Sequence, residues 1–249
     1  MSRFKKKVAV VTGAASGIGK ATALRLASEG ASVACVDVNA KGLRQTVKEI
    51  EAAKGTAKAF TCNLLDIASI TKTVKAVVKE FGRIDVLCNI AGLGHFARDE
   101  DETIEGWNRV IGVNLTGTYW MSKTALPHLL ATKGSIVNTA STAGTHAQPW
   151  SSAYSASKGG VISLTQTMAV SNGLQGVRVN CIAPGGVETP IADQFTPPEG
   201  VELSIMARIM PFERTGSPAE LAAAFAFLAS SDASYINGVT LRVDGAMKA

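Results

Sequence analysis

The segment KVAVVTGAASGIGKATALRLASEGASVACVD, running from Lys7 to Asp37, decides how the rest of the chain is read. Lys7–Thr12 is an apolar, β-branched run with the character of a strand, Gly17–Glu29 reads as a helix, and Ser32–Asp37 as a second strand. Both strands are almost continuously apolar, as strands buried on two faces are. Between the first strand and the helix stand Thr12, Gly13, Ala14, Ala15, Ser16, Gly17, Ile18 and Gly19. Glycines let a backbone turn tightly and come close to a phosphate, and a helix amino terminus offers it free amides and a positive dipole. The spacing Gly-x-x-x-Gly-x-Gly differs from Gly-x-Gly-x-x-Gly, and glycine turns after strands are common. Position sharpens the signal: first strand, first helix, then an acid at the end of the next strand. The segment therefore predicts a dinucleotide-binding turn that uses Gly13, Ser16, Gly17, Ile18 and Gly19.

The acid is Asp37, eighteen positions beyond Gly19, close to the spacing of about 20 expected for a ribose-binding carboxylate. A carboxylate there accepts hydrogen bonds from ribose hydroxyls and repels a 2′-phosphate. Val38, Asn39 and Ala14 to Ser16 bring no positive charge, so NAD(H) is expected in preference to NADP(H). The competing role for Asp37 is to cap a helix starting near Ala40, a task for which Asn39 is better placed.

Outward from this segment the same alternation continues. Ala57–Thr61, Ile84–Asn89, Ser135–Thr139, Val177–Ile182 and Val239–Val243 are strand-like. Lys41–Lys54, Ile67–Phe81, Trp107–Ala131, Ala153–Asn172 and Pro218–Ser230 are helix-like. The expectation is one α/β domain over residues 1–249: a Rossmann-like, doubly wound parallel sheet of about seven strands with helices on both faces. The irregular, proline-containing section from Ala183 to Gly216 is long enough to predict a lid around residues 186–215. Ile191–Phe195 and Val201–Ile209 are expected to form short helices within it.

Composition narrows the class. Of 249 residues, 46% are hydrophobic and 18% charged, which suits a buried core and excludes a disordered chain. The net charge is +5, but Arg3, Lys5, Lys6 and Lys7 lead straight into a strand, which favours a solvated terminus over a nucleic-acid patch. No apolar run approaches the ~18 residues that span a bilayer, and the first one is too short for a signal-peptide core. A soluble, cytoplasmic protein with no membrane or nucleic-acid partner is expected. Cys35, Cys62, Cys88 and Cys181 are widely spaced in apolar runs, which predicts free buried thiols and no metal site.

Candidate chemistry lies in Tyr154-Ser155-Ala156-Ser157-Lys158. Residues four apart share a helix face, so a phenol and an ammonium stand side by side as an acid/base device. Bringing a Tyr from about 10 to neutrality takes about 4 kcal/mol. One unit charge at about 4 Å with an effective dielectric of about 20 supplies that much, so the Lys suffices only at close range. Alone, most such pairs are solvated helix decoration.

Together, Thr12-Gly13-x-x-x-Gly17-Ile18-Gly19, Asn89-x-Ala91-Gly92, Asn114, Ser141, Tyr154-x-x-x-Lys158 and Pro184-Gly185 resemble the short-chain dehydrogenase/reductase family, in its order and spacing along essentially the whole chain. The resemblance implies that Tyr154 is the general acid/base, with Lys158 lowering its pKa and holding nicotinamide ribose hydroxyls. It implies that Ser141 binds the substrate oxygen and that Asn114 holds a relay water. It further implies that Asn63 and Leu64 touch adenine, that Asn89, Ala91 and Gly92 line the cofactor path, and that Pro184, Gly185, Val187 and Thr189 embrace the nicotinamide. Asn63 stands where the family often has Asp, and Ile90 where it often has a second Asn that braces the sheet.

The implied activity is NAD-linked interconversion of a secondary alcohol and a ketone by a homo-oligomer, usually a tetramer. The pocket is expected to be walled by Leu93, His95, Phe96, Ala143, His146, Trp150 and Val187, with Ile191, Phe195, Met206, Ile209, Met210 and Phe212 from the lid. An apolar lid favours a steroid-like, cyclic or acyl carbonyl substrate. The rivals are an NADP-linked 3-oxoacyl-type reductase and a non-catalytic nucleotide-binding protein.

Overall fold

Alternate residues of the apolar strands face opposite sides of the sheet, and each side finds its own helices. In the computed structural model, which describes residues 2–146, 148–208 and 214–247, seven strands form one parallel sheet in the order β3-β2-β1-β4-β5-β6-β7. The strands are β1 (Val8–Thr12), β2 (Ser32–Asp37), β3 (Thr56–Thr61), β4 (Val86–Asn89), β5 (Ser135–Thr139), β6 (Arg178–Pro184) and β7 (Thr240–Val243). The helices are α1 (Gly17–Ser28), α2 (Ala40–Ala52), α3 (Ile67–Phe81), α4 (Ile104–Ile111), α5 (Thr118–Thr132), α6 (Ser152–Gly173) and α7 (Pro218–Ala229).

Ala9, Val11, Val33, Cys35, Cys88 and Ile182 face α1, α2 and α7, where Leu26, Leu43, Ile50 and Phe225 fill the layer. Val8, Val10, Ala34, Val36, Leu87 and Ile136 face α3, α5 and α6 through Ile70, Val74, Met121 and Leu129. Each such large side chain, fully buried, contributes about 1.5–3 kcal/mol, so the two apolar layers hold the sheet between them. All four cysteines are free and buried, and burial pushes the Cys35 and Cys88 thiols up to about 12.

β1 pairs with β2 on one side and β4 on the other, in register Val8↔Ser32 and Ala9↔Val86. The chain winds outward in both directions from there, and a crevice opens at the carboxyl ends of β1 and β4, where such sheets bind ligands. Helix caps fix the approach to it: Asn39, not Asp37, caps α2 by accepting from Gly42 N.

Element ends mostly differ from the sequence expectation by one or two residues, and three departures stand out. The fourth strand starts at Val86 rather than Ile84, because the Asp85 carboxylate takes the Val8 N–H at 2.9 Å where a strand carbonyl would otherwise pair. The expected helix Trp107–Ala131 starts earlier, at Ile104, and is interrupted by a π-helical segment, Gly112–Gly117, that separates α4 from α5. In the expected lid segment, Pro190–Gln194 and Leu203–Arg208 form 3-10 turns; the part of the second expected helix at Ile209 lies outside the described residues. Among the described residues no helix is long and apolar enough to cross a membrane.

Candidate active site

At the end of β1, Gly13 and Gly17 take φ of +71° and +50°, which costs L side chains but not glycine. A Cβ on Gly19 would lie 2.1 Å from Gly13 O, so the turn folds onto its helix only without one. Ser16 caps α1 by position but makes no side-chain cap hydrogen bond, so the first-turn amides are left for another acceptor. That turn opens into a cavity of ≈ 670 Å³ lined by Gly13, Ser16, Gly17, Ile18 and Gly19. Asp37 stands on its wall with Oδ2 accepting from Ala15 N at 3.2 Å and Oδ1 from Asn39 N at 2.8 Å. Uncapped amides at one end and a carboxylate at the neighbouring strand end fit a dinucleotide's pyrophosphate and ribose.

Asn63, Leu64, Ala91, Gly92, Pro184, Gly185, Val187 and Thr189 line the same cavity. The Asn63 Oδ1 already accepts from Leu65 N at 3.0 Å. Asn89 is placed differently: it is buried, its Nδ2 donates to Ser122 Oγ and Asn138 Oδ1, both at 2.9 Å, and it does not line the cavity. Its side chain ties β4 to α5 and β5 beneath the site, while Ile90 joins the apolar core and presents its N–H to Thr12 Oγ1.

The π-helical segment explains Asn114. Widening the turn, a distortion common at functional sites, leaves the buried Asn114 amide facing the loop after β4. There Oδ1 accepts from Leu93 N at 2.8 Å, and Nδ2 donates to Leu93 O at 3.0 Å and Ser157 Oγ at 3.1 Å. Asn114 thus clamps that loop against α6.

Ser141, Tyr154 and Lys158, all buried, meet on the wall of the same cavity. Ser141 Oγ accepts from Ala143 N at 3.1 Å. Lys158 Nζ donates to Thr139 O at 2.9 Å and lies 5.7 Å from the centre of the Tyr154 ring. Burial pushes the phenol above its ordinary value, and the hydrogen bond with Ser141 opposes this. Burial likewise pushes the Lys158 ammonium down to about 8. Both groups are enclosed, and the ammonium donates to a backbone carbonyl.

Of the expected pocket walls, Leu93, Phe96, Val187, Ile191, Phe195 and Met206 line the cavity. His95, Ala143, His146 and Trp150 do not. His95 Nε2 pairs with Glu102 at 3.1 Å, and the exposed His146 ring bonds Thr145 Oγ1. Ile209, Met210 and Phe212 lie outside the described residues. Sequence reasoning missed Arg109, Val113, Gln148 and Met247, which also line the cavity. Val113 was signalled by its place beside Asn114, whereas Met247 is near the chain end and has no local signal. No group of three or more His, Cys, Asp or Glu side chains placed to hold a metal occurs among the described residues.

Residues 13–248 match the family model described as Enoyl-(Acyl carrier protein) reductase. The chain is 40% identical to a 3-oxoacyl-[acyl-carrier-protein] reductase of Thermotoga maritima, over 98% of this chain and 99% of that protein. It is 42% identical to a meso-2,3-butanediol dehydrogenase of Serratia marcescens, over 98% and 95% of the two chains. A solved structure, 3-ketoacyl-(acyl-carrier-protein) reductase from Brucella melitensis complexed with NADH, superposes with a TM-score of 0.90 at 34% identity, covering 99% of this chain and 100% of that one.

Proposed function

Because the chain belongs to the short-chain dehydrogenase/reductase family, we propose that it interconverts a secondary alcohol and a ketone with NAD(H) as cofactor. The observation that carries this reading is the meeting of Ser141, Tyr154 and Lys158 on the wall of a cavity that is also lined by a glycine turn with uncapped amides. When bound, oxidised nicotinamide supplies both the two-electron acceptor and a positive charge.

Ser141 holds the substrate oxygen by its hydroxyl, and Tyr154 takes the alcohol proton or returns it to the alkoxide. Tyr154 performs this exchange only when its phenolate is stabilised, since burial alone disfavours the charged form. Lys158 contributes the local positive charge, and Asn114 keeps the loop at Leu93 in place beside it. The glycine turn and the α1 amides hold the pyrophosphate, and Asp37 the adenosine ribose.

Asp37 sets the cofactor preference in this reading. The wild-type protein is expected to use NAD at least tenfold better than NADP. Losing hydrogen bonds to a charged group costs about 1.5–3 kcal/mol, so Asp37→Ala is expected to lower kcat/KM for NAD by about 10–100-fold and to narrow the gap to NADP. Equal use of the two cofactors by the wild type, or an unchanged preference in Asp37→Ala, would refute the assignment.

A second reading, a 3-oxoacyl-type reductase, is favoured by the names of two similar proteins. A side-by-side assay with a 3-oxoacyl thioester and simple cyclic and acyclic alcohols, followed at the reduced-nicotinamide absorbance band, separates the two. The proposed activity predicts turnover of the simple alcohols; turnover of the thioester alone would replace it with the second reading.

A further inference from the structure

The lid contributes an aromatic ring to the reacting end of the cavity. Phe195, just after the Pro190–Gln194 turn, stands edge-on to Tyr154 with ring centres 5.0 Å apart and an interplanar angle of 77°. It meets Phe96 in the same manner at 5.1 Å, and Phe96 in turn meets Trp150 at 5.9 Å. Four rings therefore run in series from the candidate proton donor to the loop that precedes α6, all in edge-to-face contacts of the favourable kind.

The seat of Phe195 is specific. A Cβ on Gly94 would lie 2.7 Å from Phe195 Cε2 and 2.8 Å from Cζ, so a side chain at position 94 makes the ring shift from where it lies. Gly94 N also donates to Gln194 Oε1 at 2.9 Å, and Arg98 Nη2 donates to Glu199 O at 2.6 Å. These two bonds join the lid to the loop after β4 on either side of the ring. Phe195, Ala143, Val110 and Ala153 pack around Tyr154 as one small apolar cluster.

We infer that Phe195, seated on Gly94, determines substrate shape: it confines the space beside the Tyr154 hydroxyl to compact cyclic or short-chain secondary alcohols and turns away fused-ring and long-chain ones. The inference rests on the proposed alcohol oxidation and names the substrate class for that site. A rigid ring held at one edge of Tyr154 offers an apolar wall to a compact ring or short alkyl chain. It also occupies the volume that a longer body extending toward Phe96 and Trp150 would need.

The test compares kcat/KM for cyclohexanol and for a 3β-hydroxysteroid in the wild type, Phe195→Ala and Gly94→Ala, all with NAD. The wild type is expected to favour cyclohexanol, and Phe195→Ala to shift the ratio at least tenfold toward the steroid. General destabilisation would move both substrates together and leave the ratio unchanged. In Gly94→Ala, where the ring is displaced, the ratio is expected to shift in the same direction and limited proteolysis within residues 190–208 to accelerate. A wild type that prefers the steroid, or a ratio unmoved by Phe195→Ala, overturns the inference while leaving alcohol oxidation intact. A wild type that oxidises neither these nor other simple alcohols overturns the proposed function itself. The seating of Phe195 is then judged by proteolysis, unchanged cleavage of Gly94→Ala counting against it.

Discussion

Tyr154→Phe is expected to retain NADH binding and lose turnover by about 10²–10⁴-fold, the range supplied by a positioned general acid or base. The substitution removes one oxygen from a ring that is 7% exposed and otherwise packed against Val110, Ala143, Ala153 and Phe195. The apolar body of the side chain therefore stays where it is. What disappears is the only hydroxyl besides Ser141 proposed to reach the substrate oxygen. Fluorescence titration with NADH should give the wild-type affinity, and the loss should fall on kcat with the best substrate. A Phe variant with wild-type kcat would remove Tyr154 from the mechanism.

Lys158→Met should lose activity and gain stability at the same time. A unit charge 5.7 Å from the phenol ring, at an effective dielectric of about 20, is worth about 3 kcal/mol, or about 100-fold in rate. The same ammonium is a liability to folding. Its lowering from 10.5 to about 8 in the folded protein corresponds to about 3 kcal/mol. Losing the bond to Thr139 O gives back part of that, so a net gain on the order of 1 kcal/mol is expected, a rise of a few degrees in the thermal midpoint of a chain of this length.

The sign carries a pH dependence. Between about pH 8 and pH 10.5 the unfolded chain binds the Lys158 proton more tightly than the folded one, so wild-type stability gains from this residue as pH rises through that window. The advantage of Lys158→Met is accordingly full below pH 8 and shrinks toward pH 10.5. Thermal melts of both proteins at pH 7 and pH 9.5 check this; a variant less stable than wild type at pH 7 would contradict it.

Much of the fold is legible in the sequence because the information is local. β1, α1 and β2 are marked by two apolar runs around a glycine turn whose tightness only glycine allows, since a Cβ on Gly19 would lie 2.1 Å from Gly13 O. The parallel sheet follows from strands and helices that alternate. Features decided by tertiary contact are not legible in this way. The π-helical segment at Gly112–Gly117 exists alongside Asn114 bonding to Leu93, a residue twenty-one positions away. The start of β4 depends on Asp85 reaching Val8.

The site divides in the same manner. Residue types and spacing identify Ser141, Tyr154 and Lys158, but not their ionisation, because the cost of burial depends on everything packed around them. His95 and His146 sit in the expected loops, yet Glu102 and Thr145 hold their rings away from the cavity. Met247 reaches it from the last turn of the described chain, where Thr142 Oγ1 contacts its sulfur at 3.9 Å.

A crystal structure of the protein with bound NADH bears most directly on the assignment of the cavity. The pyrophosphate should rest on the turn from Gly13 to Gly19, the adenosine ribose on Asp37, and the nicotinamide ring beside Ser141 and the Tyr154 hydroxyl. A dinucleotide bound elsewhere, or a Tyr154 hydroxyl turned away from the nicotinamide, would contradict it.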